Sequence, residues 1–201
     1  MKLYYSPGAC SLAPHIILRE AGLPFDLVQV DLKAKQTKDG GDFTKVNPKG
    51  QVPTLQLDDG QILTENVAID QYLADQKPEA GLLAQSGLER YRGLEWLVFV
   101  STELHKTFSP LFRPTTPDEY KTITRENIAK KFDYVEQRLA DGRQYLMGDR
   151  FTAPDAYLFT VLRWAKAMNI DLSPWPHLAA YRDRVAARPK VQETLKAEGL
   201  A

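Results

Sequence analysis

Asn47-Pro48-Lys49-Gly50-Gln51-Val52-Pro53-Thr54-Leu55-Gln56-Leu57-Asp58-Asp59-Gly60-Gln61-Ile62-Leu63-Thr64-Glu65-Asn66-Val67-Ala68-Ile69 runs through a proline-led strand, an Asp-Gly turn, a second strand and a helix start. A proline at the mouth of a strand can hold a cis peptide, and the bend leaves the backbone of Val52 free to pair with a group from outside the protein. Glu65 and Asn66 fall where a helix presents unpaired N–H groups, which suits a ligand carrying both a carboxylate and an amine. Cys10, the only cysteine, supplies sulfur chemistry. These features together point to a site for a small peptide that contains a thiol.

Upstream, Leu3-Tyr4-Tyr5 reads as a strand and Ser6-Pro7-Gly8 as a turn. Ser11 reads as the N-cap of a helix that tolerates Pro14 in its first turn and stops at Gly22. Phe25–Leu32 is strand-like, completing a βαβ unit with parallel strands. Thr54–Leu57 and Gln61–Leu63 pair across Asp58-Asp59-Gly60, and a helix from Glu65 to about Ala74 closes this half.

Downstream of a polar linker the pattern is helical throughout. Leu88 to Phe108 carries apolar residues at helical spacing and ends at Pro110, and Asp118–Leu139 is a second long helix. Thr152-Ala153-Pro154-Asp155 has the form of a capping box opening a helix so apolar that it should be the core of this half. His177–Ala187 and Lys190–Glu198 finish the chain. Trp96 and Trp164 sit among apolar helix residues and read as core, and neither His15 nor His177 carries a functional signal.

Lys plus Arg and Asp plus Glu stand at 26 each, so no net field draws the chain to nucleic acid or an anionic membrane. The N-terminus lacks the apolar core of a signal peptide, and no run approaches the roughly 20 apolar residues of a spanning helix. With one cysteine, no intrachain disulfide can form. The chain reads as soluble and cytoplasmic.

A single cysteine is most simply a small buried hydrophobe. Cys10, however, immediately precedes Ser11 at the positive end of a helix, a setting that lowers a thiol pKa. Ala13 stands where a redox pair would have its second cysteine, so Cys10 can only form a mixed disulfide with an external thiol or donate a hydrogen bond to one.

On these residues the chain resembles the cytosolic glutathione transferases, most closely the bacterial beta class. The matching motifs are Tyr5-Ser6-Pro7-Gly8-Ala9-Cys10-Ser11-Leu12, Asn47-Pro48-Lys49-Gly50-Gln51-Val52-Pro53, Leu63-Thr64-Glu65, Glu103-Leu104-His105-Lys106 and Phe151-Thr152-Ala153-Pro154-Asp155-Ala156-Tyr157. The resemblance implies an α/β plus all-α architecture: a thioredoxin-like N-terminal domain (residues 1–78), a linker (79–86) and an all-helical domain (87–201) with a hydrophobic-substrate pocket. It further implies a homodimer with its active site in the interdomain cleft, glutathione as co-substrate and no metal. Cys10, His105 and Tyr5 would be catalytic, with Cys10 facing the glutathione sulfur and Tyr5 close to it. Val52, before cis Pro53, would pair with the cysteinyl part of the peptide, Glu65 and Asn66 with the γ-glutamyl end, and Lys35 with the glycyl end. Thr102, Glu103 and His105 would come from the long helix. Two positions depart from the pattern: Asn66 stands where serine or glycine is common, and Val98 where a relative has asparagine.

Glutathione attacks as its thiolate, so such an enzyme must favour the anion through nearby donors. A shift of two pKa units would raise the thiolate fraction roughly a hundredfold, at about 1.36 kcal/mol per unit. Phe108, Leu111 and Phe112 follow His105 and suit a hydrophobic electrophile. Three functions fit these residues: conjugation of glutathione to hydrophobic electrophiles, including halide displacement; glutaredoxin-like exchange with a mixed disulfide at Cys10; and non-catalytic binding on the same fold.

Overall fold

The computed structural model describes residues 1–201, which separate into two compact units: Met1–Gln85 with Arg188–Ala201, and Ser86–Ala187. In the first unit, strand β1 (Lys2–Tyr5) leads into helix α1 (Leu12–Ala21) and strand β2 (Asp26–Asp31). A short β3 (Gln36–Thr37) follows, then the hairpin β4 (Thr54–Gln56) and β5 (Ile62–Thr64), and helix α2 (Asn66–Gln76). The strands form one sheet in the order β3-β2-β1-β4-β5. β1 runs parallel to β2, with Tyr4 opposite Val28, and antiparallel to β4, with Leu3 opposite Leu55. β3 was not anticipated, because two residues carry too little alternation to register.

Alternation along β1 divides its side chains between the two faces. Tyr4 joins Val30, Phe43 and Val52 in one buried cluster, while Tyr5 faces His15 of α1 at 6.1 Å between rings. Gly22 ends α1 in the left-handed conformation (φ 66°), and the Leu23 N–H returns to the Leu18 carbonyl, the closure expected of a glycine stop. Ser11 occupies the N-cap position without capping. Its Oγ instead accepts from the Ser6 N–H at 3.1 Å and closes the turn behind it.

The second unit is helical: α3 (Gly87–Phe99), α4 (Lys106–Phe108), α5 (Asp118–Leu139), α6 (Ala153–Ala167) and α7 (Pro176–Ala186). The single helix expected from Leu88 to Phe108 is interrupted, because Val100–His105 forms a π-helical turn and Ser109–Phe112 a 3₁₀ turn. Every residue of α6 except Arg163, Lys166 and Ala167 is buried, as its composition requires. The expected capping box is formed: Asp155 accepts from the Thr152 N–H at 2.8 Å and the Thr152 hydroxyl at 2.7 Å.

The last helix, α8 (Pro189–Ala197), belongs to the first unit and packs on α1. This grouping differs from the expectation of one all-helical domain over 87–201, because long-range pairs hold the segment to α1. Arg188 binds Glu20 through both of its carboxylate oxygens, at 2.7 and 2.8 Å. Glu198 accepts from the Gly8 N–H at 2.9 Å and lies 2.8 Å from His15 Nδ1, while Arg19 Nε donates to His15 Nε2 at 3.1 Å. His15 thus presents Nδ1–H to Glu198 and is fully buried, a structural role that its sequence context did not reveal. No helix is long and apolar enough to cross a membrane.

Candidate active site

Ser6, Pro7, Gly8 and Ala9 bring the chain from β1 to Cys10. Gly8 needs its positive φ of 70° here, and Leu200 stands 3.6 Å from where a Cβ would project. The Cys10 thiol donates to the Val52 carbonyl at 3.1 Å. Loss of water pushes the thiol up to about 12, and the negative charges of Asp70 and Glu65 push the same way. The backbone N–H groups of Cys10 and Ser11 pull it down, as a helix start should, but they are outweighed. The lowered pKa expected from sequence is therefore reversed: in the ligand-free protein Cys10 is a protonated donor.

Val52 precedes Pro53 through a cis peptide bond, as anticipated. Asn47, which the sequence alone does not mark out, shapes the loop that delivers them. Its buried amide donates to the Gln51 carbonyl at 2.8 Å and the Thr54 hydroxyl at 2.9 Å. Lys35 has a left-handed backbone (φ 58°), and its ammonium donates to the Gly50 carbonyl at 2.8 Å, which ties it to the same loop.

Glu65 and Asn66 sit at the start of α2 with different partners. Glu65 has φ 74°, costly for a residue with a side chain, and such strain gathers at functional positions. Its carboxylate does not cap the helix; it is exposed and pairs with Lys49 at 2.6 Å. Lys49, which sequence reasoning missed, also donates to the Thr64 hydroxyl at 3.0 Å. Asn66 is buried and donates to the Cys10 carbonyl at 2.9 Å, so it braces the cysteine turn. The first unit thus joins Cys10, Val52, Pro53 and Asn66 through direct bonds, with Glu65 next in sequence and Lys35 on the flanking loop. Tyr5 is different: its ring meets His15, and burial followed by the charge of Glu198 raises its phenol.

Thr102, Glu103 and His105 lie in the π-helical turn of the second unit. Such turns re-aim side chains and recur at functional sites. Thr102 is exposed and donates to the Val98 carbonyl at 3.0 Å; Glu103 pairs with Lys131 at 2.5 Å. His105 Nδ1 lies 2.7 Å from the Tyr157 hydroxyl, and its ring meets Trp164 edge-on at 4.8 Å. Phe108 is fully buried against Phe132 and Trp164, so it serves the core and not a pocket wall. Phe112 remains half exposed beside Trp164.

A thioredoxin-type unit of five strands and packed helices, with a cis-proline loop and a cysteine at the first helix, together with a helical unit, is the architecture of glutathione-dependent transferases. The family models for the glutathione S-transferase N-terminal and C-terminal domains match residues 8–76 and 99–189. Glutathione S-transferase GstA of Escherichia coli O157:H7 is 56% identical over 201 residues, covering 100% of both chains. The structure of a sphingomonad glutathione S-transferase complexed with glutathione is 49% identical with a TM-score of 0.95, covering 100% of each chain. A bacterial beta class enzyme from Sphingomonas chungbukensis is 48% identical with a TM-score of 0.96, also covering 100% of each. The chain belongs to the glutathione S-transferase family and is a transferase enzyme of the bacterial beta class.

Proposed function

We propose that the first unit binds glutathione and favours its thiolate for attack on hydrophobic electrophiles, halide displacement among them. Val52 would pair its backbone with the cysteinyl residue, and the start of α2, with Glu65 and Asn66, would receive the γ-glutamyl amine and carboxylate. Lys35 would meet the glycyl carboxylate. The bound glutathione in the sphingomonad relative supports this reading.

The observation that carries it is the Cys10 thiol, which stays protonated and donates to a backbone acceptor. A group that holds its proton so firmly is suited to donate to a ligand thiolate. It is poorly suited to act as a nucleophile itself, which favours conjugation over glutaredoxin-like exchange. His105, Thr102 and Glu103 are proposed to serve from the second unit, and Tyr5 to act through the packing of β1. The enzyme is further proposed to work as a homodimer in the cytoplasm, where its free cysteine would persist.

Ultraviolet titration of bound glutathione tests the central step. Ionisation of its sulfur at least one pH unit below that of free glutathione is expected, about 1.36 kcal/mol in favour of the anion. An unshifted titration would reject thiolate stabilisation. Absence of binding by calorimetry would leave the non-catalytic alternative standing.

A further inference from the structure

Lys49 lies on the loop that leads to cis Pro53, and its ammonium reaches the start of α2. Lys49 Nζ stands 2.6 Å from Glu65 Oε1 and donates to the Thr64 hydroxyl at 3.0 Å. Its backbone is anchored from the other side, where the Lys49 N–H donates to Asn47 Oδ1 at 3.1 Å. A fixed stem thus carries a cation to the junction of β5 and α2.

We propose that Lys49 is a binding residue for the α-carboxylate of the γ-glutamyl group, which it reaches by an exchange of partners on Glu65. This rests on the reading that the start of α2 receives that group. In the ligand-free protein the Lys49 ammonium sits on Glu65 where a ligand ammonium would sit. The γ-glutamyl head carries an ammonium and a carboxylate on one carbon. Its ammonium pairs with Glu65, and the released Lys49 turns to the carboxylate beside it. Protein and ligand charges then alternate in sign, and each has an opposite neighbour.

The exchange asks little of the protein. The side chains of Lys49 and Glu65 are 51% and 68% exposed, so water screens their bond and breaking it costs little. A lysine ammonium has three donors on a flexible stem, so it can swing while keeping the Thr64 hydroxyl. Glu65 is the fixed member of the pair, since its left-handed backbone (φ 74°) sets where its carboxylate emerges.

Charge count agrees with this assignment. Glutathione carries two carboxylates and one ammonium, and the loop with the start of α2 offers two ammonium groups and one carboxylate. Lys35, held against the Gly50 carbonyl at 2.8 Å, addresses the glycyl end, which leaves Lys49 for the γ-glutamyl carboxylate. A peptide lacking the free α-amine would leave Lys49 tied to Glu65, so the pair selects for an intact amino-acid head.

Calorimetric titration of the full chain tests this with two ligands. One is glutathione; the other is γ-aminobutyryl-cysteinylglycine, which keeps the ammonium and lacks the α-carboxylate. Lys49→Met should weaken glutathione binding about tenfold, the effect of losing one charge-assisted hydrogen bond. Lys49→Arg, which keeps the charge, should retain most of the affinity. The analogue should bind Lys49→Met no more weakly than it binds wild type. If Lys49→Met bound glutathione as well as wild type or better, Lys49 would be a mere competitor for Glu65 and the proposal would be overturned. Equal weakening of both ligands would overturn it too, since Lys49 would then act only by shaping Glu65. A wild type that does not bind glutathione would remove the proposed function itself, whereas binding without these differences would remove the Lys49 assignment alone.

Discussion

The sulfur of Cys10 donates to the carbonyl oxygen of Val52 at 3.1 Å, tying the start of α1 to the loop that ends in cis Pro53. Two segments that are 42 residues apart in sequence share the one thiol of the chain. A ligand sulfur arriving beside Val52 would find a donor already in place, needing only to turn.

Replacing Cys10 with Ala should abolish any thiol–disulfide exchange while leaving conjugation in place. A net hydrogen-bond worth of roughly 0.5–1.5 kcal/mol corresponds to about a two- to tenfold loss in kcat/KM. Cys10→Ser, which keeps a donor, should recover part of that loss. Steady-state kinetics with an aromatic halide and with a disulfide checks both. Equal conjugation by all three proteins would remove Cys10 from the donor set.

Tyr157→Phe should lower stability by about 1 kcal/mol, because the hydroxyl 2.7 Å from His105 Nδ1 is lost from a buried helix. The imidazole would lose one of the contacts that fix its ring orientation, so conjugation should fall as well. Urea denaturation alongside kcat measurement separates the two effects. A variant with full activity and full stability would show that the pair is incidental.

Much of this arrangement is legible in the sequence, and the exceptions share a cause. Asp118–Leu139 is recognisable because Pro117 and Gly142 bound it, and the Thr152–Asp155 box because its bonds are local. The cis Pro53 loop and the hairpin after it are local too. The π-helical turn at Val100–His105 escapes notice, since it barely alters apolar spacing within a long helix. The place of α8 depends on His15 meeting Glu198, 183 residues later. Cys10 was misjudged because a helix start can be read from spacing, whereas loss of water and the nearness of Asp70 cannot. Asp70 itself looks like an ordinary polar residue on a helix until its burial is known.

Glu198→Ala should destabilise the protein by about 2–4 kcal/mol, since it removes the carboxylate acceptor shared by the Gly8 N–H and the buried His15 Nδ1. Hydrogen exchange should quicken in the turn at residues 6–10, which the carboxylate holds from α8. Glutathione affinity is expected to drop in step. Unchanged exchange in that turn would mean the contact with Leu200 beside Gly8 is a sufficient anchor.

Asp70→Val should stabilise the protein, by an amount that grows with pH. Burial raises the folded-state pKa of Asp70 above its unfolded value, so the folded wild type binds the proton more tightly. Below the unfolded carboxylate value of about 3.9 both states are protonated, and only the cost of burying the neutral acid separates the proteins. As pH rises beyond it, the unfolded wild type ionises while the folded one cannot, and wild-type stability falls. That loss continues until the folded pKa is reached and then levels off. Urea denaturation of both proteins from acid to mildly alkaline pH should therefore show a widening gap in favour of Val. A gap that stays constant or narrows with pH would mean that Asp70 has found a partner, such as an internal water, that holds its anion.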